Sequence, residues 1–365
     1  MNDTTNESCS VSPGGDDAGS REVTGSGRLN PWWRNMLFCG VSCLVWVTGA
    51  WVILYLWGMI FYNGPFQQAG VANLILACLW VATAWFIWTR IEQRRWKWSG
   101  LTMLIAIVMV PWSLIQPSND RAWIAEHSRA GYTDMVGDQL TIHHVRNFDY
   151  TDGGATRERW EQRRVHMSNL RGMDIFHDAF MGDLMGHPVL SFDFGPDGRI
   201  CLSVEARREV GEDFSPFGGL YKMFELQYLF STEEDCIRLR THIRKEPVYM
   251  YEINAPLEDV REMFLSSVRI QNDLAKKPRF YNVTHTNCTT TLRGQRPEGK
   301  RGSWDPRILF NGLLDEYLYE RGRLVAHGMS FEELRKRAKI NPDKVPLSVA
   351  SDFSVLIRLG RFEKD

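Results

Sequence analysis

The sequence lacks an excess of charge of either sign, since its 365 residues include 43 lysines and arginines against 44 aspartates and glutamates. Proteins that bind polyanions usually carry a basic surplus, so this balance gives no reason to expect a nucleic-acid partner. Residues 1–30 lack almost all large apolar side chains and are rich in Asn, Asp, Ser, Thr and Gly. Such a segment cannot bury enough apolar surface to fold, so it predicts a disordered tail.

The sequence also lacks a cluster of metal ligands. His143 and His144 are adjacent, but no cysteine or carboxylate lies at ligand spacing from them. Neighbouring residues of a strand point to opposite faces, so the two imidazoles would not converge on one ion. We therefore expect neither a metal nor another cofactor.

Three apolar runs contain no charged residue: 36–62, 71–89 and 98–115. A bilayer core about 30 Å thick needs about 20 helical residues. The third run is at the lower limit of that length, and a buried core helix is the alternative for it. Eight tryptophans cluster near the ends of the runs, as an interfacial aromatic belt would; they are Trp32, Trp33, Trp57, Trp85, Trp88, Trp96, Trp98 and Trp112. We predict a three-helix transmembrane anchor over residues 31–117.

The charges of the connecting loops predict the orientation of this anchor. The loop Asn63–Gly70 is uncharged, whereas Arg90–Lys97 is densely basic. Because basic loops remain in the cytoplasm, the N-terminus is predicted inside and everything after about Gln116 outside. The first run is too long for a cleavable signal peptide, and another run follows closely. The sequence thus predicts a protein of the bacterial inner membrane with a cytoplasmic N-terminal tail and a periplasmic C-terminal domain.

Three of the seven cysteines, Cys201, Cys236 and Cys288, would face the oxidising periplasm. An odd number leaves at least one thiol without an intramolecular partner. A disulfide between Cys201 and Cys236 would leave Cys288 free, although spacing alone does not decide the pairing.

Residues 118–345 predict an α+β domain, and residues 346–365 a C-terminal strand or tail. The predicted strands are 139–145, 237–243 and 248–253, and the predicted helices are 257–274 and 307–319. The apolar residues of 257–274 follow an approximate helical stripe.

The segment Gly186–Arg207 predicts a hairpin, because Gly195-Pro196-Asp197-Gly198 has the residues of a type I turn closed by a left-handed glycine. In that register Gly195 faces Arg199. One face is apolar, and the other carries His187 and Glu205 within side-chain reach of each other.

Asn287 is a suitable N-cap for a short helix that opens at Cys288. A helix N-terminus stabilises a thiolate. A cysteine at a helix start and a histidine on a strand form the thiol–imidazole pair of papain-like enzymes. Here His187 precedes Cys288, which is the order of the circularly permuted branch of that superfamily.

Several strings resemble the Lnb-type N-terminal periplasmic domain over most of residues 118–300. They are Asn119–Trp123, Val145–Tyr150, Gly186–Phe194, Ser203–Glu209, Phe224–Leu226, Leu239–Thr241 and Phe280–Thr290. The resemblance implies a lipoprotein N-acyltransferase activity and a permuted papain-like (NlpC/P60-like) fold. In that family the membrane helices follow the domain, whereas here three apolar runs precede it.

The candidate catalytic residues are Cys288 as nucleophile, His187 as base and Glu205 as the residue that orients the imidazole. The first two rest on the resemblance and the local patterns, and Glu205 rests on the hairpin geometry. The alternatives are a buried structural cysteine, His285 as the base, and an ion pair of Glu205 with Arg207 or Arg208. Asn147 and Asp149 are weaker candidates for shaping the site.

These residues favour a thiol acyltransferase that moves an acyl chain from membrane phospholipid, through an S-acyl Cys288, to an amine such as a lipoprotein N-terminus. A lipid or cell-wall amide or ester hydrolase would use the same residues with water as the acceptor. A non-catalytic envelope scaffolding protein that retains only the fold is the third reading.

Overall fold

The computed structural model describes residues 31–66, 70–151, 154–295, 299, 301–340, 342–344 and 353–359. The predicted tail, residues 1–30, lies outside this part, as does most of the C-terminal segment. The chain divides into two compact units, residues 1–53 and 54–365. Residues 31–114 form three long apolar helices: α1 (Pro31–Asn63), which continues from the first unit into the second, and α2 (Val71–Arg90) and α3 (Arg94–Leu114) of the second unit.

By length and composition, each of these helices is able to cross a membrane. Few of their residues are buried, which favours a span over a core helix for the third as well. Because charges are confined to the helix ends and connecting loops, the apolar surfaces remain available to lipid. The prediction of three apolar N-terminal helices followed by an α+β domain is confirmed.

Within residues 54–365 the ends of the helices contact the soluble domain through Tyr221. Its ring stacks on Tyr62 at 5.1 Å between centroids. It also lies against Gly58, where an added Cβ would come within 2.3 Å of the ring. Lys222 donates a hydrogen bond to the carbonyl oxygen of Trp112 (3.1 Å) and lies over its indole ring. Helices α1 and α3 are therefore held to one loop of the domain near their C-terminal ends.

The described part of the domain is built on an eight-stranded mixed sheet with the order β1-β2-β9-β8-β7-β6-β10, in which β5 also pairs with β2. All neighbours are antiparallel except β2 and β9. Its strands are β1 (Tyr132–Val136), β2 (Gln139–Arg146), β5 (Trp160–His166), β6 (Gly172–Asp178), β7 (His187–Asp193), β8 (Arg199–Arg207), β9 (Glu225–Ser231) and β10 (Val248–Glu252). A separate hairpin comprises β3 (Asp149–Thr151) and β4 (Gly154–Arg157).

Six helices complete the described domain: α4 (Glu233–Arg238), α5 (Leu257–Lys276), α6 (Cys288–Gly294), α7 (Leu314–Glu320), α8 (Phe331–Ala338) and α9 (Phe353–Leu356). The main core lies between one sheet face and α5, where Phe264 contacts the rings of Phe192 and Phe194 at 4.9 Å. A second core covers the opposite face, where Val189 and Cys201 pack with residues of α4. Both faces are therefore buried, which fixes which side chains of β7 and β8 point to each.

The strands predicted at 139–145 and 248–253 and the helix at 257–274 are confirmed to within two residues. The strand predicted at 237–243 is wrong. That segment continues α4 as a π-helical turn, Leu239–Ile243. Thr232 caps α4, and acidic residues fill its first turn, so the helix-start signal outweighs the β-branched residues further on.

The helix predicted at 307–319 is only partly correct. Two 3-10 turns, Pro306–Ile308 and Asn311–Leu313, precede the shorter α7. Gly312 lies against the backbone of Gly182, where an added Cβ would come within 2.3 Å of the carbonyl oxygen. This close approach bends the segment away from a continuous helix. Near the C-terminus the described residues form the short helix α9, not the strand that was one of the two predicted forms, because Phe353 and Ile357 are buried at helical spacing.

The hairpin of β7 and β8 has the predicted faces but a register two residues away from the predicted one. Asp193, not Gly195, lies opposite Arg199. The loop is wider because Gly195 and Gly198 both have positive φ and accommodate a 3-10 turn. A shift of two residues preserves the faces, so Phe192 and Leu202 remain in the main core.

Candidate active site

The two-residue shift brings His187 and Glu205 closer than predicted. The pairing of Val189 with Ser203, extended by two residues, sets His187 opposite Glu205. His187 Nε2 lies 2.6 Å from Ser203 Oγ and 3.5 Å from Glu205 Oε1. Ser203 Oγ donates to Glu205 Oε1 at 2.5 Å. Since Nε2 faces this pair, Nδ1 is left as the ring nitrogen available to a thiol.

Cys288 lies at the first position of α6, as predicted. Asn287 caps the helix, and its side chain accepts a hydrogen bond from the backbone N–H of Thr290 (2.7 Å), which completes a capping box. The sulfur is buried and lines the same cavity as the imidazole of His187. Helix α6 packs on β7 and β8, so the cap sets the sulfur beside the histidine.

Asn311 supplies a second polar contact to the sulfur. Its amide Nδ2 lies 3.2 Å from Cys288 Sγ and also donates to Thr289 Oγ1 at 2.9 Å. Its Oδ1 accepts from the backbone N–H of Gly186 at 2.9 Å, and its own carbonyl oxygen lies 3.0 Å from His177 Nε2. These contacts fix the amide so that an N–H points at the sulfur.

Arg240 holds the carboxylate of Glu205 from the other side. Its Nη2 donates to Glu205 Oε1 at 3.1 Å, and its Nε lies 3.4 Å from Asp178 Oδ2. The guanidinium is buried, and Nη1 also donates to Cys236 Sγ at 3.0 Å. The arrangement places two acidic groups and one buried cation around the imidazole.

The pKa values of His187, Glu205 and Asp178 are strongly shifted from their usual values. Burial lowers the pKa of His187, but the neighbouring Glu205 carboxylate and Cys288 sulfur outweigh it and raise the pKa to about 10. Burial would raise the pKa of Glu205, yet His187 and Arg240 hold it well below its usual range. Burial raises the pKa of Asp178 to about 7, against the opposing effect of Arg240. At neutral pH the pair is therefore an imidazolium with a carboxylate partner.

One cavity of about 260 Å³ contains all three predicted catalytic residues, Cys288, His187 and Glu205, together with Asn311. The rival His285 is exposed and hydrogen-bonds to Asn282 and Thr284 instead. Neither Asn147 nor Asp149 is among the described residues that line this cavity.

Sequence reasoning missed Ser203, Arg240 and Asn311. Ser203 is two residues from Glu205 on the same face of β8, so the hairpin pattern was sufficient to predict its position beside Glu205. Arg240 fell in the segment wrongly predicted as a strand. Asn311 fell inside a predicted helix, and nothing in the local string Phe310-Asn311-Gly312 distinguishes a catalytic asparagine from a turn residue.

Cys201 and Cys236 are buried, carry free thiols and belong to the same apolar core. Burial raises the pKa of Cys201 well above its usual value, whereas the neighbouring Cys201 and Arg240 lower that of Cys236. The disulfide between them is not formed in this structure.

Residues 156–296 match the family model of the Lnb N-terminal periplasmic domain. The matched segment contains His187, Glu205 and Cys288, while Asn311 lies beyond it. No curated protein and no solved structure matches the chain significantly. The resemblance noted in the sequence is thereby confirmed: the chain has a segment that matches the Lnb N-terminal periplasmic domain, preceded by three apolar helices of membrane-spanning length.

Proposed function

We propose that this protein is a membrane-anchored periplasmic thiol acyltransferase. The observation that carries the proposal is the convergence of Cys288, His187, Glu205 and Asn311 on one cavity. A buried thiol that shares a cavity with an imidazole and contacts an amide donor has the components of nucleophilic acyl transfer. The match to the Lnb domain supports a function at the periplasmic face of a membrane.

In the first half-reaction the Cys288 thiolate attacks the carbonyl carbon of a phospholipid ester, and a C–S bond forms. The ester C–O bond breaks, and the departing lysophospholipid oxygen takes a proton from the His187 imidazolium. Because the pKa of His187 is raised to about 10, the imidazole carries this proton before the substrate arrives. The products are an S-acyl enzyme, a lysophospholipid and a neutral histidine.

In the second half-reaction an amine attacks the thioester carbonyl, as the N-terminus of a diacylated lipoprotein would. A new C–N bond forms, the C–S bond breaks, and His187 takes the proton that the amine releases. The thiolate and the imidazolium are then restored. Glu205 stabilises the imidazolium in both steps, and Ser203 transmits its orientation through a hydrogen bond.

Asn311 acts on the acyl group in this scheme. Its Nδ2 is 3.2 Å from the sulfur, so an N–H is within reach of an oxygen on a carbon bonded to Sγ. Negative charge develops on that oxygen in both half-reactions. A preorganised donor at this point lowers the barrier because it needs no reorganisation during the reaction.

The cavity lies near the membrane end of the domain, which suits lipid substrates. Phe214 lines it, and the neighbouring Ser215 is 3.5 Å from the hydroxyl of Tyr62 at the end of α1. Leu184 and Phe217, on two loops beside the cavity, are 63% and 68% exposed. Exposed apolar side chains around a site are typical of contact with lipid or another apolar partner.

We also propose that the domain is a circularly permuted papain-like fold. The support is local: the cysteine opens a helix that packs on the strand bearing the histidine, and the histidine comes first in the chain. The permuted order changes the connectivity but leaves the mutual placement of thiol and imidazole unchanged.

The products of one incubation test this function. Purified protein is mixed with phospholipid vesicles and a synthetic diacylated lipopeptide that has a free amino terminus. An N-acylated lipopeptide and an equal amount of lysophospholipid are expected. Free fatty acid without acylated peptide would replace the transferase with a hydrolase, and no lipid turnover would favour the scaffolding protein. A Cys288→Ala variant is the control for contaminating lipases.

A further inference from the structure

A second cavity, of about 350 Å³, shares helix α6 with the first. Cys288 faces the first cavity, whereas Thr289, Leu292 and Arg293 line the second. Its floor is the apolar face of β6 and β7, represented by Ile175 and Leu190. A cavity of this size is within the range that holds small-molecule ligands.

This second cavity is lined by both apolar and positively charged side chains. Apolar residues of the sheet and of α5, α6 and α7 form the interior, while four arginines line it as well: Arg293, Arg301, Arg321 and Arg323. Within the part of the chain that the structure describes, Arg293, Arg321 and Arg323 form no ion pair with a carboxylate. By contrast, the nearby Arg307 contacts Asp305 and Glu320.

Backbone and hydroxyl groups hold two of these guanidinium groups in place. Arg293 Nη2 donates to the carbonyl oxygen of Gly302 at 2.8 Å, and Arg321 Nη2 donates to Ser303 Oγ at 2.8 Å. Arg321 also lies over the ring of Tyr317. The hydrogen-bond partners of Arg293 and Arg321 are thus neutral groups, although the charge of Arg321 also acts on Asp305 and Glu320 and lowers their pKa values. An arginine fork matches phosphate or carboxylate oxygens.

We propose that this second cavity binds one acyl chain of an anionic lipid, with the head group paired to Arg321 and Arg323. Transfer of a hydrocarbon chain from water into an apolar cavity is favourable, and the arginines favour a negatively charged head group. The inference rests on the proposed function in one respect. Acyl transfer from a phospholipid donor to a lipidated acceptor requires binding sites for two lipids. The cavity with Cys288 would hold the lipid whose ester or thioester reacts, and the second cavity would hold the other.

The two cavities are also connected through hydrogen bonds. Asn311 Nδ2 donates to Thr289 Oγ1 (2.9 Å), in the wall of the second cavity, and to Cys288 Sγ (3.2 Å) in the first. A lipid beside Thr289 is therefore one residue from the nucleophile. This contact makes the second cavity part of the same substrate region and not a remote surface pocket.

The test measures lipid binding by native mass spectrometry of the full chain in a non-ionic detergent. The Cys288→Ala background removes the nucleophile, so binding is scored without acyl transfer. The probes are palmitoyl lysophosphatidylglycerol, the uncharged palmitoyl monoacylglycerol and inorganic phosphate. The variants are Arg321→Gln with Arg323→Gln, Leu318→Trp to fill the cavity, and Arg269→Gln as a control on the exposed side of α5.

The double arginine variant should weaken binding of the lysophospholipid at least about tenfold and leave the monoacylglycerol unchanged, as expected when charge-assisted hydrogen bonds are lost. Leu318→Trp should weaken both lipids, and Arg269→Gln neither. If Leu318→Trp lowers the thermal unfolding temperature, Leu292→Phe replaces it. Unchanged binding in the variants, or displacement of the lysophospholipid by phosphate alone, would overturn the inference. This assay measures lipid binding without acyl transfer. Failure of the proposed acyl transfer and failure of lipid binding at the second cavity are therefore distinguishable.

Discussion

The Glu205→Gln substitution removes the charge that keeps His187 protonated and preserves the shape of the side chain. The carboxylate oxygen lies 3.5 Å from His187 Nε2. Two unit charges about 4 Å apart interact by about 4 kcal/mol at an effective dielectric constant of about 20. That energy corresponds to about three pKa units. The pKa of His187, about 10 in the native protein, should therefore fall to near or below its ordinary value of 6.5, because burial still disfavours the charged ring.

The assay is the rate at which iodoacetamide alkylates Cys288 between pH 5 and 9, followed by mass spectrometry of the Cys288 peptide. In the native protein His187 is an imidazolium across this range. In Glu205→Gln the imidazole is neutral at pH 7.5, so alkylation there should be at least about tenfold slower, a loss of about 1.4 kcal/mol or more.

Stability supplies an independent readout of the same charge. A histidine whose pKa is raised on folding contributes stability that is complete below about pH 6.5 and is lost as the pH rises through about 10. The free energy of unfolding of the native protein should fall between about pH 6.5 and 10, and that of Glu205→Gln should fall less. The matched control is Glu161→Gln, which removes a carboxylate on β5 outside the site. Equal alkylation profiles in the native protein and Glu205→Gln would refute the proposed charge state of His187.

Three further results are expected. Asn311→Ala should slow acyl transfer by about a hundredfold, since loss of an oxyanion donor costs this much, and should lower the unfolding temperature because the buried N–H of Gly186 loses its acceptor; kinetics below the unfolding temperature and calorimetry check the two effects. Gly58→Leu should push Tyr221 away from α1, because even a Cβ there lies 2.3 Å from the ring, and should speed trypsin cleavage after Lys222. A reporter active only in the periplasm should function when fused after Asp365 and fail when fused after Arg95; the reverse pattern would contradict the orientation.

Local signals in the sequence were sufficient for much of the site. The cap at Asn287 placed Cys288 at a helix start, and the two-residue period of the strands placed His187 and Glu205 on one face. An error of two residues in the hairpin register did not alter that face. Charge-free runs of spanning length likewise identified the three membrane helices.

The remaining contacts depend on tertiary packing that no short window contains. Arg240 reaches Glu205 because α4 continues through a π-helical turn, which the strand prediction could not anticipate. Asn311 lies 23 positions beyond Cys288 in the chain, and its neighbour Gly312 packs against another loop. Such residues carry no local periodicity or motif, so long-range geometry alone identifies them.

The most direct test of the central claim is the mass of the protein after a brief incubation with phospholipid and without an acceptor amine. An acyl group should appear on Cys288 as one added chain, confirmed by fragmentation of the Cys288 peptide and released by hydroxylamine at neutral pH. The Cys288→Ser variant should show no hydroxylamine-sensitive adduct. If the native protein hydrolyses or transfers acyl chains yet never carries one on Cys288, or if Cys288→Ser retains full activity, the thiol is not the nucleophile and the account is contradicted.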